Sequence, residues 1–249
     1  MKISIITPTY NSAKMISRTI ESVISQNYID LEYIVVDGWS SDGTDNIVLS
    51  YKDKLNIKFI SEKDNGIYDA MNKGIKMATG DIIGILNSDD FYNDNSVLSD
   101  VARNFEDPKI DAVYGDISYF SNDINKVTRY WKTGEYKERK LNNGWAIPHP
   151  SLFLRKSVYD KCGLFNLDFK IVADYEFILR ILKIYKISVK YVPKVFVRMY
   201  AGGASGRLNT KINIWKELKK AWIVNGLETP ICFIFRRIIS KLSQYFILK

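Results

Sequence analysis

Two adjacent carboxylates, Asp89 and Asp90, are the residues of this sequence best suited to bind a cation. They follow an apolar run at residues 81–86 that is rich in β-branched residues and comes after a glycine. This run predicts a buried strand that ends at Asn87, Ser88, Asp89 and Asp90. Adjacent carboxylates repel each other unless a cation lies near them, and such hard oxygen ligands suit Mg²⁺ or Mn²⁺ carrying a substrate phosphate. A polar turn with a helix cap explains the same residues without a metal.

The chain before this strand alternates between strands and helices. Strands are predicted at residues 2–7, 32–37 and 57–62, and helices at 12–26, from 44 onward and at 67–78. Asn11 or Ser12 is placed to cap the first helix. This alternation implies right-handed β-α-β crossovers and a largely parallel sheet that is covered on both faces. The alternation loosens beyond residue 86, so the sheet is expected to be mixed there.

Polar residues follow every strand of this predicted sheet, and ligands bind beyond the carboxyl ends of parallel strands. The residues at those ends are 7–11, Asp37, Glu62, Asp64 and 87–90. We expect the topology to gather them along one edge, although each one alone is also explained as a hydrated loop residue. The sequence has neither GxGxxG after the first strand nor GxxxxGK[ST], which argues against a dinucleotide fold and against a P-loop enzyme. A nucleotide held by acidic loops and a metal fits better.

The composition and charge of the chain set further bounds. With 249 residues, 46% of them hydrophobic, the chain can bury one substantial core. Its formal charge is +8, and residues 207–249 contain nine basic and two acidic residues, so +7 of that charge lies there. Cys162 and Cys232 lack CxxC spacing and predict neither a disulfide framework nor a zinc site, which favours a reducing compartment. The apolar run at residues 3–6 is too short for a signal peptide, and no run approaches the ~20 apolar residues of a membrane span.

Four ordered segments make the sequence resemble the inverting glycosyltransferases of family 2, over roughly residues 1–205. The segments are Thr-Pro-Thr-Tyr-Asn at 7–11, Val-Val-Asp-Gly-Trp-Ser-Ser-Asp-Gly-Thr at 35–44, Asp-Ala-Met-Asn-Lys-Gly at 69–74 and Leu-Asn-Ser-Asp-Asp at 86–90. The resemblance implies the α/β GT-A fold, with a Rossmann-like nucleotide-binding half and a mixed central sheet, and a catalytic domain at 1–206, with a donor half at 1–110 and an acceptor half at 111–206. Beyond residue 207, apolar residues at helical spacing and the excess of basic residues predict C-terminal amphipathic helices, which form a basic amphipathic helical tail at 207–249.

The resemblance also implies a nucleotide-sugar donor, most often UDP-linked, and a divalent cation, Mg²⁺ or Mn²⁺. The loop from Pro8 to Tyr10 and Asp37 would hold the base and ribose, and Asp89, with Asp90 beside it, would ligate the metal that bridges the diphosphate. The residues expected to bind the donor are Thr7, Pro8, Tyr10, Asp37, Asp64, Asp69, Asn72, Lys73, Asn87, Ser88, Gly203 and Ser205. The family's Asp-x-Asp appears here as Asn-Ser-Asp at 87–89, which replaces the ribose-side carboxylate by an amide and predicts a lower metal affinity.

The acceptor half offers three candidates for catalysis or acceptor binding. Asp174 and Glu176 lie in the first turn of a predicted helix, where the helix dipole alone explains both. The resemblance favours Asp174 as the base, because it opens the helix and can face the strand ends. Glu176 lies about 200° further around the helix and is expected to orient the loop or to face solvent. His149 is the only histidine and matches the family's strand-entry histidine, so a structural and a functional role both stay open.

The basic tail favours an anionic membrane surface, with packing onto the catalytic domain or a homodimer as the alternatives. The resemblance implies bacterial cell-surface polysaccharide synthesis. In that setting the enzyme would be cytoplasmic and peripheral at the inner face of the membrane, and its saccharide acceptor would be lipid-linked. A sugar-nucleotide pyrophosphorylase is a rival, but residues 7–11 lack its glycine-rich basic loop. A nucleic-acid-binding module is the other rival. It is disfavoured because the charge follows helices with large apolar faces, so no nucleic-acid partner is expected.

Overall fold

The computed structural model describes residues 1–121, 123–202, 211–231 and 233–244. Its first half alternates as the sequence predicts, with strands β1 (Ile3–Thr9), β2 (Leu31–Asp37), β3 (Ile57–Ser61) and β4 (Ile82–Ile85) separated by helices α1 (Ile16–Ile24), α2 (Thr44–Leu49) and α3 (Ile67–Met77). The predicted cap of α1 is wrong, because the helix begins after Met15 without a side-chain cap. Asn11 instead adopts a left-handed backbone with φ 49°, and its side chain binds the loop after β2.

The second half is less regular. Its elements are β5 (Phe91–Tyr92), α4 (Val97–Asn104), β6 (Ala112–Phe120), β7 (Val127–Trp131), α5 (Glu138–Asn142), β8 (Leu152–Arg155), α6 (Lys156–Cys162), α7 (Ala173–Leu179), β9 (Val189–Tyr200), α8 (Lys211–Val224) and α9 (Phe233–Ser243). A π-helical turn, Arg180–Ile184, extends α7. The sequence predicts neither β5, which has only two residues, nor β7, which lies among the basic and aromatic residues of 126–140.

The described strands form one mixed sheet in the order β3-β2-β1-β4-β8-β6-β9-β5, with β7 paired to β6. β1 is parallel to both β2 and β4, and β2 is parallel to β3. β8 runs antiparallel to β4 and β6, which confirms the mixed second half. Thr9 pairs with Asp37, and Asp37 pairs with Ser61, so the carboxyl ends of the first three strands meet at one edge.

Alternate residues of the sheet lie in two separate apolar layers, because successive side chains of a strand point to opposite faces. Ile5 of β1 belongs to an apolar layer that includes residues of α1, α2 and α4, whereas Ile6 belongs to a layer that includes residues of α3, α6, α7, α8 and α9. In the second layer, Trp222 and Phe233 of the tail helices are 2% and 1% exposed. Both belong to the apolar layer that includes residues of α3, α6 and α7, so at least this part of the tail packs on the preceding helices. Burying each such side chain contributes about 1.5–3 kcal/mol.

Other apolar residues of the tail helices, and one in the segment between them, point outward. The exposed ones are Ile223, Val224, Ile231, Phe235, Ile238 and Ile239. In the part of the chain that the structure describes, no helix combines the length and apolar character needed to cross a bilayer.

Candidate active site

The loops after β1, β2 and β4 are joined by hydrogen bonds at the edge of the sheet. The hydroxyls of Ser12 and Ser88 lie 2.8 Å apart. The Asn11 N–H donates to Ser40 Oγ at 2.8 Å, and the Ser41 N–H donates to Asn11 Oδ1 at 2.9 Å. Three strand ends that the sequence places apart therefore form one connected structure, as the parallel topology predicts.

Asp37 and Asp64 lie at neighbouring strand ends of this edge. Asp37 is fully buried, and its Oδ2 accepts from the Ser40 N–H at 2.9 Å and from Ser61 Oγ at 2.7 Å. A Cβ added to Gly38 would lie 2.5 Å from Asp64 Oδ2, so the Asp64 carboxylate lies directly against the backbone of the loop after β2. The carboxylate of Asp37 already holds its own turn, and its predicted contact with the ribose stays a prediction.

Two exposed aromatic residues flank these carboxylates. Tyr10 lies just beyond β1 and is 65% exposed, while Trp39 follows Gly38 and is 69% exposed. Exposed rings of this kind can stack on a nucleotide base. Thr7 and Pro8, in contrast, are buried within β1, where Thr7 Oγ1 accepts from the Tyr33 hydroxyl at 3.0 Å. Of the predicted 8–10 loop, Tyr10 is therefore the residue whose side chain is open to a ligand.

Asp89 and Asn87 present the oxygen atoms that fit a divalent cation. Burial raises the pKa of Asp89, and no other described residue hydrogen-bonds its carboxylate. The Oδ1 of Asn87 is buried without a partner. Among the described residues no group of three or more His, Cys, Asp or Glu side chains is placed to hold a metal. A cation here would therefore take one carboxylate from the protein and further oxygens from a diphosphate and water, as Mg²⁺ commonly does.

Asp90 is turned inward and fastens the turn after β4. It is 1% exposed, its Oδ1 accepts from the Tyr200 N–H at 3.0 Å, and its Oδ2 accepts from Asn87 Nδ2 at 3.0 Å. Burial and the neighbouring charge of Asp89 raise the pKa of Asp90 well above its usual value. Because both oxygens are used inside the protein, Asp90 links β4 to the end of β9, and its predicted metal ligation stays a prediction.

The remaining predicted donor residues lie on α3 and make contacts within the protein. Asp69 Oδ2 accepts from the Asn65 N–H at 3.0 Å. Lys73 Nζ lies 2.8 Å from Glu62, whose hydrogen bond raises the pKa of Lys73. Both ends of the Asn72 amide bind the backbone of Phe165, at 2.9 and 3.0 Å. These three residues position α3, and their predicted contacts with the donor stay predictions. Gly203 and Ser205 lie outside the described residues.

Asp174 lines a cavity of about 350 Å³ in the half that is predicted to bind the acceptor, together with His149, Ile178, Trp215 and Arg237. The structure thus brings two of the three predicted catalytic candidates to one cavity. Burial lowers the pKa of His149, although the charge of Asp174 acts in the opposite direction, so the imidazole is neutral at pH 7.

Tyr68 is the hydrogen-bond partner of Asp174. Its hydroxyl lies 2.7 Å from the carbonyl oxygen of Ile171 and 3.1 Å from Asp174 Oδ1. Burial and the charge of Asp174 raise the pKa of Tyr68 well above its ordinary value, so the hydroxyl keeps its proton. A phenol has only one proton, which the Tyr68 hydroxyl donates either to the ionised Asp174 carboxylate or, when Asp174 is protonated, to the carbonyl of Ile171. Tyr68 then presents a lone pair to Asp174 once that carboxyl group is protonated.

Glu217 of α8 holds the segment that leads into α7. Its Oε1 accepts from the Lys170 N–H at 3.0 Å, and its Oε2 accepts from the N–H groups of Ile171 and Val172 at 2.9 and 3.1 Å. These N–H groups lie at the helix start and have no partner within the helix, and an acid satisfies them there. The helix that carries Asp174 is therefore fastened from the tail.

Glu176 is engaged in a buried ion pair. It is 3% exposed, and its carboxylate accepts from Arg180 Nε at 3.0 Å and Nη2 at 3.1 Å and from Asn225 Nδ2 at 3.1 Å. Arg180 also donates to the carbonyl of Leu164 at 2.7 Å. The alternative that Glu176 faces solvent is wrong, because it orients the loop after α6 through Arg180.

The mixed sheet with strand-end carboxylates at one edge has the GT-A fold, and solved structures share it. The complex of S. aureus TarS 1-349 with UDP-GlcNAc has a TM-score of 0.72 at 19% identity, and the match covers 100% of this chain and 74% of that one. The mannosyltransferase PcManGT from Pyrobaculum calidifontis, in complex with GDP-Man and Mn²⁺, has a TM-score of 0.68 at 20% identity, covering 99% and 70%. Another crystallised TarS chain is longer, and this chain spans 44% of it.

Sequence comparison gives the family. The family model described as Glycosyl transferase family 2 matches residues 4–163. A PGL/p-HBAD biosynthesis glycosyltransferase of Mycobacterium bovis (strain BCG / Pasteur 1173P2) is 31% identical over 213 residues, which are 84% of this chain and 80% of the relative. The chain belongs to glycosyl transferase family 2.

Four residues of the site are absent from the sequence-based predictions. Trp39 lies inside the motif at 35–44 and Tyr68 directly precedes the motif at 69–74, so the available signal was their position at a quoted motif. Glu217 and Arg237 have no local signal, because they reach the site from a distant part of the chain.

Proposed function

We propose that this glycosyltransferase transfers a sugar from a UDP-sugar to a hydroxyl of a saccharide acceptor, with inversion at the anomeric carbon. The observation that carries the proposal is the Asp174 carboxylate, which lines the acceptor-side cavity and has a hydrogen-bond partner only in Tyr68 among the described residues. Inversion in one displacement needs a base on the acceptor and a stabilised leaving group opposite it. The nucleotide-sugar complexes of TarS and PcManGT support the donor class.

In this mechanism Asp174 takes the proton of the acceptor hydroxyl as its oxygen forms a bond to the anomeric carbon. The bond from that carbon to the diphosphate oxygen breaks, and UDP leaves with the electron pair. Protonated Asp174 can donate to the Tyr68 hydroxyl, whose own proton points to Ile171. Neutral His149 contacts the acceptor without adding a second charge beside the base. A Mg²⁺ or Mn²⁺ ion held by Asp89 and Asn87 would supply positive charge to the departing diphosphate.

The donor and the metal are tested by calorimetry of UDP with Mg²⁺, with Mn²⁺ and with EDTA. Tight binding of UDP that is indifferent to EDTA would remove the metal from the proposal. Transfer from a panel of UDP-sugars, with the anomeric configuration of the product read by NMR, tests the sugar and the inversion. Release of pyrophosphate from UTP and a sugar 1-phosphate would instead support the pyrophosphorylase alternative.

We further propose a lipid-linked acceptor at the anionic inner face of the cell membrane. The exposed apolar side chains of α8 and α9 are interleaved with the exposed basic residues Lys219, Lys220 and Arg236, a pattern that suits an anionic bilayer surface. Phe235→Glu should reduce co-sedimentation with anionic liposomes, while Ile29→Glu, at an exposed site far along the chain, should not. If light scattering shows a dimer that Phe235→Glu dissociates, the same face is a dimer interface instead.

A further inference from the structure

Arg237 of α9 faces the cavity that holds Asp174 and has no carboxylate partner among the described residues. Its Nη1 donates to the carbonyl oxygen of Gly144 at 3.2 Å, and its guanidinium lies 4.8 Å from the centre of the Tyr175 ring. No described residue accepts from its other N–H groups. Desolvation lowers the pKa of Arg237 from its ordinary value, so the charge is held at a cost that an anion would offset.

The position of Arg237 depends on close packing between α9 and the loop after α5. Gly144 has a φ of +81°, and a Cβ added to it would lie 2.6 Å from the Arg237 Cα. Only glycine therefore lets the loop after α5 approach α9 at this point. The neighbouring Arg236 is exposed and donates instead to Asn143 Oδ1 at 2.7 Å. Of two consecutive arginines, one is placed in the cavity and the other on the surface.

The described side chains that line the cavity carry one more positive charge than negative charge. Among its described lining residues the charged side chains are Asp174, Arg129 and Arg237, and His149 is neutral. Arg129 is already engaged by Gln244 and lies 4.2 Å from the centre of the Tyr119 ring. A direct pair between Arg237 and Asp174 would occupy the base, and none is formed within 4 Å among the described residues.

We propose that Arg237 binds an oxyanion carried by the acceptor, so that the acceptor is an acidic saccharide with a phosphate or carboxylate near the attacking hydroxyl. This inference rests on the proposed function, because it places the acceptor in this cavity. The planar guanidinium can donate two parallel N–H groups to two oxygens of either anion, and such charge-assisted bonds are the strong ones. The bound anion offsets the desolvated charge of Arg237 and leaves Asp174 free to take the proton.

The test measures binding of small saccharides to the full chain in the presence of saturating UDP and Mn²⁺. The probes are glucose 6-phosphate, glucuronate and, as the neutral control, glucose, and binding is followed by saturation-transfer NMR and by tryptophan fluorescence. We expect at least one acidic probe to bind about tenfold or more tightly than glucose. The probe that does so identifies the phosphate or the carboxylate as the source of the oxyanion.

Variants of Arg237 and Arg236 show which of the two arginines binds the acidic probe. Arg237→Gln should reduce the affinity for the acidic probe to that for glucose, Arg237→Lys should retain part of it, and Arg236→Gln should leave it unchanged. Melting temperatures exclude unfolding as the cause. Equal binding of acidic and neutral probes, equal loss in Arg236→Gln, or binding of the acidic probe only when UDP is left out would each overturn the inference. UDP binding is read separately, so an intact donor site with no oxyanion preference refutes only the acidic acceptor.

Discussion

Glu217→Gln provides the sharpest test of whether the tail helices take part in catalysis. Glu217 accepts three backbone N–H groups directly before the helix of the proposed base. Glutamine can present only one carbonyl oxygen. If that oxygen keeps the N–H groups of Ile171 and Val172, the amide NH₂ group faces the N–H of Lys170, donor against donor.

The size of the effect follows from these contacts. A hydrogen bond to a charged group contributes about 1.5–3 kcal/mol, and the variant loses one such bond outright and the charge from the other two. We take about 2 kcal/mol as the weakening of the anchor. If all of it is lost from the transition state, kcat falls by roughly 30-fold, since 1.4 kcal/mol corresponds to a factor of ten.

The assay distinguishes a change in the position of Asp174 from a loss of overall protein stability. We expect Glu217→Gln to lower kcat while the KM for the UDP-sugar is unchanged, because the described hydrogen bonds of Glu217 reach only residues 170–172. Glu228→Gln removes the other acid of the tail, which is exposed, and serves as the matched control. Parental kcat in Glu217→Gln would refute the reasoning. So would a loss of donor affinity that parallels the loss of kcat, because Glu217 would then be a general stability residue.

The remaining predictions concern the base, the metal and acid stability. Asp174→Asn should slow single-turnover transfer by ~10²–10⁴ at unchanged UDP affinity, and Glu176→Gln should lower the melting temperature instead; parental transfer by Asp174→Asn would show that another residue is the base. Asp89→Ala should weaken the cation-dependent part of UDP binding, measured by calorimetry with and without EDTA. Burial lowers the pKa of His149 below its usual 6.5, so below that pH the unfolded chain binds a proton that the folded chain does not, and stability falls. His149→Gln should show a smaller drop in melting temperature between about pH 7.5 and 5.5, and an equal drop in both proteins would contradict this.

The parallel half of the fold follows from local patterns in the sequence. β1 and β2 are short, almost entirely buried runs that end in polar residues, and their register brings Thr9 beside Asp37. Because parallel strands run in the same direction, their carboxyl ends lie at the same edge of the sheet. Predicting the strands is therefore enough to predict which residues meet there. The motif at residues 86–90 follows a strand, so the position of Asp89 at this edge could be predicted for the same reason.

Side-chain orientation and contacts between distant residues could not be predicted from the sequence in this way. The sequence shows Asp89 and Asp90 as equivalent neighbours, but the end of β9, which lies 110 residues on, binds Asp90 and leaves Asp89 without a partner from another described residue. Asp174 and Glu176 also differ through partners elsewhere: Tyr68 reaches Asp174, and Arg180 and Asn225 take up Glu176. Such distinctions arise from tertiary packing and not from spacing.

The basic tail is the region where sequence reasoning and structure complement each other most. Its composition indicates one charged amphipathic surface, yet the structure divides its residues between two faces. Glu217, Trp222 and Arg237 face the catalytic domain, while Phe235 and Arg236 face outward. A helix pair with a catalytic face and an outer apolar, basic face can couple the position of Asp174 to whatever the outer face binds. If the outer face binds lipid, anionic liposomes should raise the kcat of the parental enzyme, and Glu217→Gln should reduce that activation while leaving liposome binding intact. Activation that survives in Glu217→Gln would show that the two faces act independently.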